Sequence, residues 1–386
     1  MRWDHVTGFM VPLIEGVEDY SADQDVHWIT LLRPTNVTAN GVALYNLDLL
    51  DMKTKQITNL LKGIPRLDEI LISPDGHWII YQKSHDQYSE LFALSILQPD
   101  QPKKLGTCKP SEGNYCKTVL WSPLSNAVLW EDSHGIWLSN LDKNRTNLLT
   151  SHEIDIIDPK GKISMLSVVF QGLSWAPGGR YFLSEILTPA GVCWYAVFDS
   201  YQLHWTEVTD TFVTSCPAHA SASWTDQGNL LVVKPHVTPG RLYPVVDIWH
   251  IVPTKNELFE LLLETELNGI QTETAQNTGS DMDYSMLWPK QINQQVIGFG
   301  LLPARSSTST DLYLANMENE QIDLLARISD NIKSVLWTPD GFGALVEKED
   351  GSALFASPYE GALIDLTSSS NGEARKFSWT PPTPRS

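Results

Sequence analysis

The sequence predicts an all-β chain folded as a seven-bladed β-propeller with four-stranded antiparallel blades. Three observations carry that expectation: a unit of about fifty residues recurs along nearly the whole chain, the same turn chemistry closes the first hairpin of most units, and the two ends of the chain look like complementary parts of one blade.

The unit is clearest where Leu71-Ile72-Ser73-Pro74-Asp75-Gly76 runs into His77-Trp78-Ile79-Ile80-Tyr81-Gln82, followed by Glu90-Leu91-Phe92-Ala93-Leu94-Ser95-Ile96 and then Lys103-Lys104-Leu105-Gly106. Each run is short, β-branched or aromatic, and bounded by turn residues, which is the signature of a strand. Proline presets φ for a type I turn and glycine accepts the left-handed position after it, so Pro-Asp-Gly closes a tight hairpin between the first two strands.

That turn recurs, usually with a tryptophan just ahead of it. The matching positions are Trp121-Ser122-Pro123, Trp175-Ala176-Pro177, Trp224-Thr225-Asp226, Trp288-Pro289, Trp337-Thr338-Pro339-Asp340-Gly341 and Trp379-Thr380-Pro381, which with the unit at Ile72 give one start for each of seven blades. A third and a fourth run follow in each unit, as at 136–141 and 146–149 or 311–316 and 321–326. The tryptophans of this series are expected to pack between neighbouring sheets as core, not to form a ligand platform.

At the N-terminal end, Val26-His27-Trp28-Ile29-Thr30 reads as a second strand with no first strand of the usual form before it. Lys376-Phe377-Ser378-Trp379 reads as that missing first strand. The expectation is therefore a single propeller domain over 26–386, its first blade shared between 26–62 and 376–383, with the C-terminal strand closing the ring and removing exposed sheet edges. Residues 1–25 are expected to form an extension, and its apolar run Phe9-Met10-Val11-Pro12-Leu13-Ile14 is expected to pack on the ring.

The unit at Ser73-Pro74-Asp75-Gly76 with Trp78-Ile79-Ile80-Tyr81, and its counterpart at Thr338-Pro339-Asp340-Gly341 with Ala353-Leu354-Phe355-Ala356, resembles the repeat of TolB-like, WD40-like propellers, a group related to the propeller domains of prolyl oligopeptidase and dipeptidyl peptidase relatives. The resemblance spans 26–383 as a pattern. It implies the propeller fold, a protein or peptide partner and a place outside the cytoplasm, and it brings no catalytic residue with it. The peptidase relatives carry their nucleophile in a Gly-x-Ser-x-Gly elbow, and this sequence contains none.

Composition narrows the function classes. The 386 residues are 42% hydrophobic and 19% charged with a formal net charge of −19, which opposes nucleic acid and anionic membranes, both of which require clustered lysine and arginine. No run approaches the ~18 apolar residues of a membrane span. The start Met1-Arg2-Trp3-Asp4-His5 is no signal peptide. Cys108 with Cys116 and Cys193 with Cys216 are close enough in sequence for two local disulfides, though four reduced thiols fit the same spacing. The expected location is extracytoplasmic, with a leader absent from this chain; the cytoplasm is the alternative.

Zinc, phosphate-loop and EF-hand motifs are missing, so no metal and no cofactor are expected. In a propeller, the turns joining strands one to two and three to four share one end of the ring, and the remaining connections share the other. Here the first set is short, whereas the second contains the long segments 34–41, 108–116, 152–171, 235–244, 264–284 and 303–310. Function gathers on loops held by a rigid scaffold, so this loop-rich end is the expected binding face.

Within the loop-rich end, His236, Arg241 and Tyr243 lie in a loop punctuated by proline and glycine, and arginine and tyrosine are favoured interface anchors. Asp281, Tyr284 and Arg305 belong to two further long connections. His152-Glu153 with Asp155 and Asp158 is the densest titratable cluster, readable as a cation or acid–base site or as a solvated acidic loop. The leading expectation is a non-enzymatic module that binds a protein or peptide. Its alternatives are a glycan-binding or adhesion module, which needs exposed aromatics, and a glycoside-processing enzyme, which needs two converging carboxylates.

Overall fold

The computed structural model describes residues 2–4, 9–11, 14–23, 25–108, 116–157, 163–190, 193–201, 204–208, 221–236, 245–252, 259–266, 284–303, 309–338, 343–357 and 363–366. These form seven four-stranded sheets and two isolated hairpins, and every pairing is antiparallel between strands consecutive in the chain. Among the described residues no helix is long and apolar enough to cross a membrane.

The blades follow the repeat. The second blade is built from Asp68–Ile72, Trp78–Ser84, Ser89–Ser95 and Gln98–Cys108, the third from Lys117–Trp121, Ala127–Asp132, Gly135–Asn140 and Arg145–Ser151, and the fourth opens with Val169–Trp175 and Tyr181–Leu187. The seventh runs from Ile332–Trp337 to Leu363–Asp365.

Strand alternation sends successive side chains to the two neighbouring blades. In Ala127–Asp132, Ala127 and Leu129 face the fourth blade while Val128 and Trp130 face the second, so one strand contributes to two apolar clusters. Every joint from the first to the seventh blade has such a cluster of its own.

Of the recurring tryptophans, Trp121, Trp175, Trp224 and Trp337 pack between sheets, as expected, three of them also carry hydrogen bonds, and Trp379 lies outside the described residues. Trp121 Nε1 donates to the carbonyl of Leu71 at 3.1 Å, Trp224 Nε1 to that of Ser174 at 2.9 Å, and Trp337 Nε1 to that of Trp288 at 3.0 Å. These bonds cross the joints between blades two and three, four and five, and six and seven. Trp175, at the joint between blades three and four, is the exception: its buried Nε1 has no partner among the described residues.

The first blade differs from expectation. Its first strand is Asp19–Ala22, paired with Trp28–Ala39 in the register Asp19↔Leu32 to Ala22↔Ile29. The edge that the sequence assigned to Lys376-Phe377-Ser378-Trp379 is thus filled from the N-terminal side, within the segment read as an extension. Residues 376–379 lie outside the described residues.

Asp-Tyr-Ser-Ala has neither the tryptophan nor the proline turn of the other first strands, which is why it escaped notice. It is held by its ladder, by Ile72 N donating to Ser21 Oγ at 3.1 Å, and by Ile14, Val17 and Tyr20 packing on Ile29, Leu31 and Leu50. Burial raises the Tyr20 phenol pKa, and the charges of Asp19 and of Glu347 in the seventh blade add to it. Ahead of this strand, Arg2–Asp4 and Phe9–Val11 form a separate hairpin.

The connections largely keep the predicted division between a plain end and a loop-rich end. Segment 34–41, however, is a projecting β-ribbon and not a loop: Trp28–Ala39 pairs with Val42–Asp51 as far as Ala39↔Val42, with a register shift after Pro34. Asn40 and Gly41, at φ 52° and 80°, make its two-residue turn. The long connection after the third blade likewise contains a hairpin, Glu153–Ile157 with Ile163–Ser167.

Candidate functional site

The third blade's second and third strands are joined at the loop-rich end by Asp132-Ser133-His134-Gly135. A two-residue connection pairs Asp132 with Gly135 and therefore Trp130 with Trp137. The two indoles stack with centroids 5.4 Å apart and planes 9° from parallel.

Each ring is fixed at its edge. Trp137 Nε1 donates to Asp132 Oδ1 at 2.7 Å, and Trp130 Nε1 to Ser139 Oγ at 2.9 Å. Ser139 Oγ lies 2.9 Å from Thr146 Oγ1, which reaches the carbonyl of Leu105 in the second blade at 3.5 Å. Across the joint, Gly106 leaves room for the six-membered ring of Trp130; a Cβ there would sit 2.3 Å from it. A bulge at Leu105 in the outer strand of the second blade, between Lys104 and Gly106, brings that glycine into register.

Between the two blades an open cleft of about 440 Å³ is lined by Leu105, Gly106, Thr107, Trp130, Asp132, His134, Trp137 and Thr146, within the ~300–1,000 Å³ range of small-ligand sites. One residue beyond Thr107, the disulfide Cys108–Cys116 ties the outer strand of the second blade to the start of the third. Cys216 and the Cys193 side chain lie outside the described residues, so the second pairing has no structural counterpart here.

Asp132 is the organising residue. Its Oδ1 also accepts from His134 N at 2.8 Å and Gly135 N at 3.3 Å, and its Oδ2 lies 3.0 Å from His134 Nδ1. Burial pushes its pKa up, but the hydrogen bonds from Trp137 and His134 outweigh that and hold the carboxyl below its ordinary 3.8. A depressed folded pKa contributes stability that is complete above the unfolded value and lost as pH falls through the folded one. The wild type is therefore expected to lose thermal stability below about pH 4 more steeply than Asp132→Asn, checked by thermal melts of both across that range.

His152 lies beside this turn and is turned inward. Its Nε2 is 2.9 Å from the carbonyl of Asp132 and 3.3 Å from Glu131 Oε1, its Nδ1 is 3.1 Å from the carbonyl of Val168, and its backbone N donates to the carbonyl of His134. Phe170 packs against its ring. His152 thus clamps the hairpin at 153–167 to the third blade. Glu153 and Asp155 point the other way, exposed on one face of that hairpin opposite Ser167 and Met165. The cluster seen in sequence is divided: the imidazole is structural, the two acids are solvated, and Asp158 lies outside the described residues.

Of the other predicted residues, His236 ends the second strand of the fifth blade opposite Val245, and Tyr284 begins the first strand of the sixth opposite Pro303, both at the loop-rich end. Arg241, Tyr243, Asp281 and Arg305 lie outside the described residues. Sequence reasoning missed Asp132, His134, Trp130, Trp137 and Gly106. The available signal was arithmetical: a two-residue turn after Asp132 makes 130 and 137 cross-strand partners.

No family model and no curated protein sequence matches the chain. Among solved structures, the tricorn protease is similar at a TM-score of 0.50 and 12% identity over 93% of this chain and 35% of its own. A prolyl endopeptidase is similar at 0.50 and 12% over 91% and 49%, so the chain spans about a third and about half the length of these two proteins. TolB from Acinetobacter baumannii aligns over 88% of this chain and 79% of its own at 13% identity and a TM-score of 0.39. At such identities the similarity is one of fold, and the chain has the β-propeller fold.

Proposed function

We propose that the chain is a non-enzymatic binding module that recognises a protein or peptide through its loop-rich end, with the cleft between the second and third blades as part of the contact. The observation that carries this reading is the stacked indole pair at an open cleft. With Nε1 held 2.7 Å from Asp132, Trp137 is set in place before any partner arrives. Rigid aromatic anchors at the centre of a contact lose little side-chain entropy on binding and supply a large share of its energy. Exposed acids beside the turn and the net charge of −19 favour a partner that is not acidic. The disulfide Cys108–Cys116 supports an extracytoplasmic location, where such bonds persist.

Crosslinking followed by affinity capture from source cells tests this, with wild type, Trp137→Ala, and a variant carrying Arg241→Ala and Tyr243→Ala. Partners lost from the variants while their melting curves stay near that of wild type are the expected result. An identical partner set in all three sinks the reading.

A further inference from the structure

The cleft also indicates what kind of group it takes. We infer that it accepts an arginine side chain of a peptide segment, the guanidinium lying over Trp137 with the charge of Asp132 behind it; this rests on the binding-module reading above.

Three observations converge on that chemistry. The cleft is lined by one carboxylate, one imidazole, two indoles and small polar groups, with no lysine or arginine among its lining residues. Trp137 is only partly buried, so its ring retains surface towards the cleft, whereas Trp130 behind it is 2% exposed. The Trp137 N–H is donated to a carboxylate, which leaves the indole more electron-rich and strengthens its attraction for a cation on its face.

The nearest lysines on the neighbouring strand are otherwise engaged, Lys104 at 2.6 Å from Glu90 and Lys103 over Trp78.

A guanidinium suits this arrangement better than an ammonium. It is planar and weakly hydrated, and stacks flat on an indole while its edge N–H groups reach side acceptors. Asp132 already accepts from several N–H groups, so its part is charge more than a new bidentate pair. A neutral sugar or proline ring would stack on the same indole but would gain nothing from the carboxylate.

The test uses the full chain and an acetylated, amidated Gly-Arg-Gly-Arg-Gly peptide, its citrulline counterpart and its lysine counterpart, read by tryptophan fluorescence and calorimetry at low and high salt. Citrulline keeps the shape and removes the charge. The arginine peptide is expected to bind about tenfold or more tighter than the citrulline peptide and several-fold tighter than the lysine peptide, with affinity falling as salt rises.

Trp137→Leu should remove most of the difference between arginine and citrulline, leaving the part due to the charge of Asp132. His134→Lys, at a cleft-lining turn position whose side chain is 67% exposed, should fold normally and, by setting a positive charge at the cleft, raise Kd for the arginine peptide several-fold, so the inference stays testable if Trp137→Leu is unstable. Equal binding of the arginine and citrulline peptides, no binding of the arginine peptide at millimolar concentration, or an affinity indifferent to both variants overturns it. If the peptide fails but captured partners still depend on Trp137, the basic ligand is wrong and the binding-module reading stands; if the peptide binds as described and no partner depends on the cleft, the reverse holds.

Discussion

Replacing Gly135 by alanine is expected to destabilise the protein by about 3 kcal/mol, combining overpacking with backbone strain. The residue closes the Asp132 turn at φ 150°, and an added Cβ would stand 1.9 Å from the carbonyl oxygen of Thr150 and 2.9 Å from the Cα of Ser151. Both obstacles are backbone of the adjacent strand, paired with Gly135 in the ladder, so no side chain can swing aside. The turn must deform, and with it the acceptor geometry around Asp132. Thermal or denaturant unfolding measures the loss, and altered tryptophan fluorescence in the folded state would show that Trp137 has been released. Gly178→Ala is the control: nothing lies within 4 Å of its added Cβ, and its stability should match wild type.

Phe182→Ala is expected to cost about 4 kcal/mol. Its ring is fully buried, stacks on Phe198 at 4.6 Å with planes 4° from parallel, and meets the edge of Trp175 at 5.4 Å. Around it are Leu129 and Ile136 of the third blade and Ile186 of its own strand, so truncation opens a cavity at a joint that both blades depend on. Phe182→Leu, which keeps most of the volume, should cost about 1 kcal/mol. Denaturant midpoints of the two variants check the ratio; equal losses would mean that the joint collapses around the missing ring.

What the sequence made legible was whatever the repeat forces to recur. Trp121, Trp224 and Trp337 reach carbonyls 50, 50 and 49 residues earlier in the chain, so the spacing read from the sequence is also the distance across a joint in space. The first strand at Asp19–Ala22 was invisible because backbone pairing and a serine hydroxyl hold it, and neither depends on a recognisable motif. The ribbon at 34–41 was misread because Pro34 and Asn40-Gly41 punctuate a hairpin as readily as a loop.

The cleft was hidden for a different reason. Trp130 and Trp137 stand outside the series that announces each blade, and an aspartate in a turn is common enough to pass as ordinary turn chemistry. Its consequence appears only once Gly106 of the preceding blade is seen to leave room for an indole. His152 and Glu153 are neighbours in sequence with opposite orientations, a difference that strand alternation from Glu153 to Ile157 could have suggested and that a count of titratable groups could not.

Trp175 stands at the joint between the third and fourth blades, where its N–H is buried without an acceptor among the described residues, while the joints on either side each have an indole latch. The circle is therefore uneven in its fastening. Blades two and three are latched together, as are four and five and then six and seven, whereas among the described residues no indole bond crosses from three to four or from five to six, and the boundary at Trp175 is held by apolar contact and by the hairpin that His152 clamps. Under load, the expected order of failure is that the unlatched joints part before the latched ones, so that the blades separate as pairs.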